Sequence, residues 1–398
     1  MAGTELFGAE EKKEVMDVLE TGILFRYNHD DQRKNIWKAK TFEQEFAKYL
    51  GSKHAHFCSS GTAADAISLA VSGIGVGDEV IVPPYTFIAP IEAVLMAGGV
   101  PVFADIDETL CLSPEAIEKA ITPRTKAVLL IQVFGSMGRM DEIVEVCKKH
   151  NLKLIEDAAP ALGGSYKGKM LGTFGDVSAF SFDFYKIITA GEGGAVAMNS
   201  DELFEKAHMY ADHGHDHIGN NRGAEQHPIL GFNFRGSELH AAVALAQLRK
   251  LPYIIEQQRK NQAALKEVLG EFDEIQLREV PDPEGDSATF LSFFLPDAAK
   301  ARAVFDAIQV QGIGSAYWYQ NNFHYHRQWE HLKKLKSIYP LPLTAVDNVP
   351  DYENLSLPGT DAIMERLVMI QIMVNWSDEK VKELQAKLRT ALQSALNK

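Results

Sequence analysis

Ala127-Val128-Leu129-Leu130-Ile131-Gln132-Val133, then an amphipathic stretch from Asp141 to His150, then Lys153-Leu154-Ile155-Glu156-Asp157-Ala158-Ala159 read as strand, helix and strand. The apolar runs at either end are short and the middle segment has helical spacing, which is the pattern of a βαβ unit in a largely parallel sheet. The rhythm continues outward on both sides. Glu79–Val82, Pro101–Phe103, Val177–Phe182 and Gly194–Met198 read as further strands, and helices are expected after Gly61 and after Pro90. The fold class is therefore α/β, with a large domain starting near residue 54.

Before it, Glu5 to Leu19 has the spacing of an amphipathic helix, and the following Phe25-Arg26-Tyr27 reads as an arm rather than core. After it, a helix opening at Ser237 runs to Leu251 and leads into a charged helix through Lys266. Thr289–Leu295 then reads as a strand, with Ala299–Gln311 and Asp378–Leu396 as helices, a smaller α+β domain. The expected division is residues 1–50 as N-terminal helix and arm, 51–255 as the large domain and 256–398 as the small one.

With 398 residues, 46% of them hydrophobic, the chain can bury more than one core. A net charge of −14 speaks against nucleic acid as partner, because that affinity rests on a surplus of lysine and arginine. No stretch is apolar enough for a membrane span, and the three scattered cysteines, Cys58, Cys111 and Cys147, suit a reducing, cytoplasmic setting without a disulfide frame or a zinc cage.

Four features make chemical sense together. Ser59-Ser60-Gly61-Thr62-Ala63-Ala64 opens a helix with free N–H groups, which can bind a phosphate; an ordinary N-cap would look the same. Asp157 stands at the carboxyl end of a strand, where ligands of open α/β sheets gather; it could pair with a protonated ring nitrogen or simply cap a turn. Phe180-Ser181-Phe182-Asp183-Phe184-Tyr185-Lys186 carries a lysine to the same sheet edge, where it could form an imine with an aldehyde or remain a solvated charge. Pro83-Pro84-Tyr85-Thr86-Phe87 offers an aromatic face that could stack on a ring or fill a core.

Ser-Gly-Thr-Ala-Ala (60–64), Pro-x-Thr-Phe (84–87), Glu-Asp-Ala-Ala (156–159), Ser-Phe-x-x-x-Lys (181–186), Gly-Glu-Gly-Gly-Ala (191–195) and Gly-Phe-Asn-Phe-Arg (231–235), in this order, resemble the DegT/DnrJ/StrS sugar aminotransferases. The resemblance implies the fold type I of enzymes dependent on pyridoxal 5′-phosphate, with a mostly parallel seven-stranded sheet in the large domain. It implies that Lys186 holds the cofactor as a Schiff base, Asp157 pairs with the pyridine nitrogen and Phe87 stacks on the ring. Ser60, Gly61, Thr62 and Ser181 would hold the phosphate, and Asn233 would reach the phosphate of a neighbouring subunit in a homodimer. Lys186 and Asp157 are thus the catalytic candidates. One departure is Pro160, where the family usually has Gln or His near the cofactor's ring hydroxyl. Retention of Lys186 favours amination over the dehydration carried out by a branch with His at that position.

A narrower resemblance, carried by Glu5–Gly8, Phe25–Asn28, Asp107–Pro114, Asp212–Gly219 and Pro281–Ala288, implies an amino transfer from glutamate to the C8 aldehyde of an oxidised 3-deoxy-manno-octulosonate, giving the 8-amino sugar acid of some lipopolysaccharides. A nucleotide-linked keto sugar is the alternative substrate, and a non-catalytic cofactor-binding regulator is the alternative of another class. Arg26, Arg222 and Arg235 are candidates for the sugar acid's carboxylate, since a guanidinium matches its geometry. In His213-Gly214-His215-Asp216-His217 a loop that hydrogen-bonds a polyol, through His215, is preferred to a metal site. Trp318 and Tyr319, in an aromatic and amide-rich run, could line the sugar pocket or pack the small domain.

Overall fold

The computed structural model describes residues 2–219, 221–347 and 349–396. Nine strands belong to the first part of the chain: β1 (His54–Cys58), β2 (Glu79–Val82), β3 (Val100–Phe103), β4 (Thr125–Ile131), β5 (Lys153–Asp157), the hairpin β6 (Ser165–Tyr166) and β7 (Lys169–Met170), β8 (Val177–Ser181) and β9 (Gly194–Met198). Seven of them form one sheet in the order β1-β9-β8-β5-β4-β2-β3. The β3-β2-β4-β5-β8 part is parallel, and β9 runs antiparallel to both of its neighbours. β4 and β5 are buried almost throughout, as expected of parallel strands with helices on both faces.

β9 needs its antiparallel direction to do its work. Its first residue, Gly194, pairs with the last residues of both β1 and β8, Cys58 and Ser181. The reversal brings the carboxyl ends of two parallel strands and the start of a third to one point on the sheet edge.

β10 (Gln276–Leu277), β11 (Phe290–Phe294), β12 (Ser315–Ala316) and β13 (Leu367–Gln371) form a second, antiparallel sheet in the order β10-β11-β13-β12. The helices Ala298–Val310 and Asp378–Leu396 cover it, and Leu291, Phe293, Val304, Ile370 and Leu388 fill the core between them. Among the described residues no helix is long and apolar enough to cross a membrane.

The expected division of the chain changes in three places. Residues 1–50 are not a separate arm: Phe42 and Phe46 of the helix Lys38–Leu50 pack on Phe57, Phe180 and Phe182 in the large core. Arg26 is buried too. The expected break near residue 255 falls inside one continuous helix, Glu238–Leu269. Pro252 removes one backbone hydrogen bond there, a cost of about 3 kcal/mol. Packing overrides that cost: the first half of the helix buries Leu245, Leu251 and Ile255 in the large core, and the second half buries Leu265 and Val268 in the small one. Finally, part of the 256–398 segment returns to the large domain, where Tyr325, Trp329, Leu343 and Tyr352 join its core. The Tyr352 hydroxyl donates to the Pro101 carbonyl at 2.9 Å.

Candidate active site

The sheet edge collects the four features read from the sequence. β1 ends at Cys58 and the chain turns through Ser59 and Ser60 into the helix Gly61–Val71. Ser60 caps it: its Oγ accepts the Ala63 N–H at 3.0 Å and its carbonyl accepts the Ala64 N–H at 3.0 Å. The N–H groups of Gly61 and Thr62 have no acceptor within the helix, as at any helix start. Ser181, at the end of β8, lies against this turn so closely that a Cβ on Gly61 would sit 2.6 Å from the Ser181 Cβ. A Cβ on Gly194 would sit 2.2 Å from the Ser60 carbonyl oxygen. Both glycines are required by close approach, and the result is a small polar cradle of Ser60, Gly61, Thr62 and Ser181 at the positive end of a helix dipole. That cradle fits a phosphate.

Asp157 ends β5 and is 6% exposed. Its Oδ1 accepts the Ala159 N–H at 2.9 Å, and no other protein donor is seen at its carboxyl among the described residues. Burial raises its pKa, and the Ala159 N–H and the charge of Lys186 bring it only part of the way back. The preceding Glu156 is on the opposite face of the strand, where Gly172, Phe174 and Gly175 donate their N–H groups to it. The two neighbouring acids therefore have separate tasks. Glu156 holds a loop, and Asp157 is left underpaired at the sheet edge, as a partner for a cationic ring nitrogen must be.

Lys186 follows β8 on a short loop. Its N–H donates to the Asp183 carbonyl at 3.1 Å, and Ile187 and Ile188 behind it are buried, so the loop is anchored on the core. The half-buried lysine lines a cavity of about 360 Å³ together with Phe134, Pro160, Phe290, Trp318 and His324. Trp318 stacks on Phe134 with ring centroids 5.0 Å apart. His324 Nδ1 is 3.0 Å from Asn321 Oδ1, which fixes the proton on Nδ1 and leaves Nε2 as an acceptor. Burial, and then the charge of Lys186, lower the His324 pKa to about 4, so the imidazole is neutral at physiological pH. Phe87 is 46% exposed, and its ring lies 5.6 Å from that of His324.

Phe134 was missed in the sequence, whereas His324 ends the aromatic, amide-rich run from Tyr317 that was read as a possible lining of the sugar pocket. Phe134 could have been found, since it lies three residues past the carboxyl end of β4, beside the β5 that Asp157 ends. The returning segment of the small domain brings Trp318 and His324 of that run to the Lys186 cavity.

Other candidates lie elsewhere. Arg26 is not free for a substrate: its Nη2 is 2.6 Å from Glu43 and its Nη1 donates to the Phe57 carbonyl at 2.5 Å, both in the protein interior. Arg235 and Arg222 both bind Asp212, Arg222 through two bonds of 2.7 and 2.6 Å. Burial would raise Asp212, but the two guanidiniums hold its carboxyl down at about 2. His215 is 2.8 Å from Glu225. Arg26, Arg222 and Arg235 are thus each engaged by a carboxylate of the protein, while burial lowers the pKa of His215 beside Glu225. Tyr319 lies beside Tyr325, with ring centroids 5.5 Å apart, rather than among the residues lining the Lys186 cavity. Among the described residues no group of three or more metal-ligating side chains is arranged to hold an ion. Asn233 is exposed, and a second cavity of about 610 Å³ beside the phosphate cradle is lined by Phe232, Phe234, Tyr210 and Met96.

Known proteins match along the whole of this architecture. The model of the DegT/DnrJ/EryC1/StrS aminotransferase family covers residues 7–389. GDP-perosamine synthase of Caulobacter vibrioides is 46% identical over 211 residues, 53% of this chain and 56% of that protein. This chain spans less than two thirds of the length of the first curated relatives it matches. UDP-N-acetyl-3-dehydro-alpha-D-glucosamine 3-aminotransferase of Acidithiobacillus ferrooxidans is 36% identical over 74% of this chain and 78% of that protein. An aminotransferase from Psychrobacter cryohalolentis, solved by X-ray diffraction, superposes with a TM-score of 0.83 at 27% identity over 98% of both chains. The expected fold, that of fold type I aminotransferases, is the one found. This chain belongs to the DegT/DnrJ/EryC1/StrS aminotransferase family.

Proposed function

We propose that the chain is an aminotransferase that uses pyridoxal 5′-phosphate to move the amino group of glutamate to the carbonyl of a sugar. The observation that carries this reading is the convergence of Lys186, Asp157 and the Ser60-Gly61-Thr62-Ser181 cradle on one sheet edge. When bound, the cofactor supplies an aldehyde that condenses with amines and a cationic ring that withdraws electrons from the carbon bearing the amine. The cradle would bind the phosphate, and Asp157 would hold the proton on the pyridine nitrogen. The Lys186 amine takes the proton from Cα of glutamate in one half-reaction and returns a proton to the sugar carbon in the other. Phe87 would stack on the ring, and Phe134 and Trp318 would line the space in which the substrates bind.

The substrate we propose is the C8 aldehyde of an oxidised 3-deoxy-manno-octulosonate. The product is 8-amino-3,8-dideoxy-manno-octulosonate for lipopolysaccharide, as with the enzyme KdnA, which the segments Glu5–Gly8, Phe25–Asn28, Asp107–Pro114, Asp212–Gly219 and Pro281–Ala288 resemble. A nucleotide-linked keto sugar is the second reading. It is supported by the names of the GDP- and UDP-sugar relatives and by the engagement of Arg26, Arg222 and Arg235 elsewhere, which takes away the expected carboxylate partners. We place the enzyme in the cytoplasm as a homodimer with shared sites, in which the exposed Asn233 contacts the phosphate held by the partner.

Absorbance spectra test all of this. Protein loaded with pyridoxal phosphate should show a band that needs Lys186, glutamate should bleach it, and the octulosonate aldehyde should restore it. Restoration by a nucleotide-linked keto sugar alone selects the second reading. Absence of a band that depends on Lys186 refutes the aminotransferase.

A further inference from the structure

Asp65 is a buried acid for which the scheme above has no task. It stands four residues after Gly61 in the helix Gly61–Val71, and residues four apart share a helix face. That face meets the end of β8, where Gly61 touches Ser181. β8 runs beside β5, with Asp157 paired to Ala179. Two carboxyl groups, at 4% and 6% exposure, are thus enclosed behind one patch of sheet edge. Lys186 is the cation that acts on both of them. Two anions facing one ammonium in a desolvated space are unfavourable, and carboxyl pairs in that position keep a proton between them.

Hydrogen-bond donors decide which member is ionised. Asp157 accepts the Ala159 N–H, whereas Asp65 Oδ1 is buried without any donor. Donors stabilise a carboxylate, and a neutral acid can do without them.

We propose that Asp65 is a positioning residue that acts through Asp157: it keeps the proton of the pair, so the single negative charge stands on Asp157, where the cofactor's ring nitrogen would lie. The positioning role rests on the function proposed above. The location of the proton does not, and the experiment separates the two. In infrared difference spectra of cofactor-free protein at neutral pH, wild type minus Asp65→Asn should contain the C=O stretch of a protonated carboxyl group. Spectra without that band overturn the proposal.

With pyridoxal phosphate bound, Asp65→Asn, which stays neutral and polar, should keep the pH midpoint of the Lys186-dependent band. Asp65→Val should move it by about one pH unit, because Asp157 then loses its polar neighbour. An Asn variant that moves the midpoint as far as Val does would mean that charge, not a proton, resides at residue 65. Thermal melting checks that the variants fold, and if the Val variant does not, the infrared band and the Asn midpoint still decide. If the wild type takes up no cofactor on Lys186 but the infrared band is present, the proposed function fails while the proton stands on Asp65.

Discussion

Asp157 and Asp212 are both buried aspartates within the influence of cations, and the difference between them separates a site from a strut. Asp157 has one backbone donor and the field of a single lysine, and its acid stays above the usual carboxylate range. Asp212 is clamped by the guanidiniums of Arg222 and Arg235 and is held at about 2. Around Asp212 the arginines all have carboxylate partners: Arg26 on Glu43, and Arg222 and Arg235 on Asp212 itself. At the sheet edge a lysine, two carboxyl groups and a row of free N–H groups remain without full partners. Incomplete pairing in a buried place costs stability and is kept where a ligand completes it.

The contrast can be broken from either side. Lys186→Ala should lower turnover on the order of 10⁴-fold with little change in melting temperature, since the lysine is both imine partner and proton carrier; steady-state rates and a melting curve check this. Asp157→Asn keeps the size but not the charge, and should cost about 10³-fold in kcat, again without unfolding the protein. Asp212→Asn should do the opposite. It leaves two guanidiniums facing a neutral amide in a buried place, a loss of about 3 kcal/mol or more in a urea titration. Its effect on kcat should be smaller than that of Asp157→Asn.

Acid sharpens the same comparison. The Asp212 pKa is lower in the folded than in the unfolded chain, so its contribution to stability is complete above about 4, the unfolded value, and is lost as pH falls through about 2. His324 is a base whose folded value, about 4, lies below its unfolded value near 6.5. Its stabilising neutral form is therefore fully in place above about 6.5 and is lost as pH falls toward 4. Urea denaturation of wild type against His324→Gln should show the smallest of these effects, a flatter stability profile between about pH 4 and 6.5 in the variant.

Much of the site was legible because it lies at strand ends, and strand ends can be read from short apolar runs. Asp157, Ser181, Gly61 and Lys186 all follow such runs. The partners of the arginines were not legible for a physical reason: arginine looks the same in sequence whether its partner is a substrate or a side chain elsewhere in the chain, such as Glu43 for Arg26. Asp65 was passed over because an acid inside an apolar helix gives no sign of which neighbour it faces. Pro252 misled in the other direction, as its local penalty is smaller than the packing gained by a helix that buries both of its halves.

The alternation of short apolar runs and amphipathic helices determined the α/β class by itself, because periodicity is a local property that each segment carries. The motifs at the strand ends likewise determined the family and the chemistry to expect. Tertiary structure alone decided which charges are free: it spent Arg26, Arg222 and Arg235 on internal carboxylates, brought His324 and Trp318 back to Lys186, and set Asp65 behind Asp157. Those choices depend on distances across the fold between residues far apart in the chain, where burial and the field of neighbouring charges act.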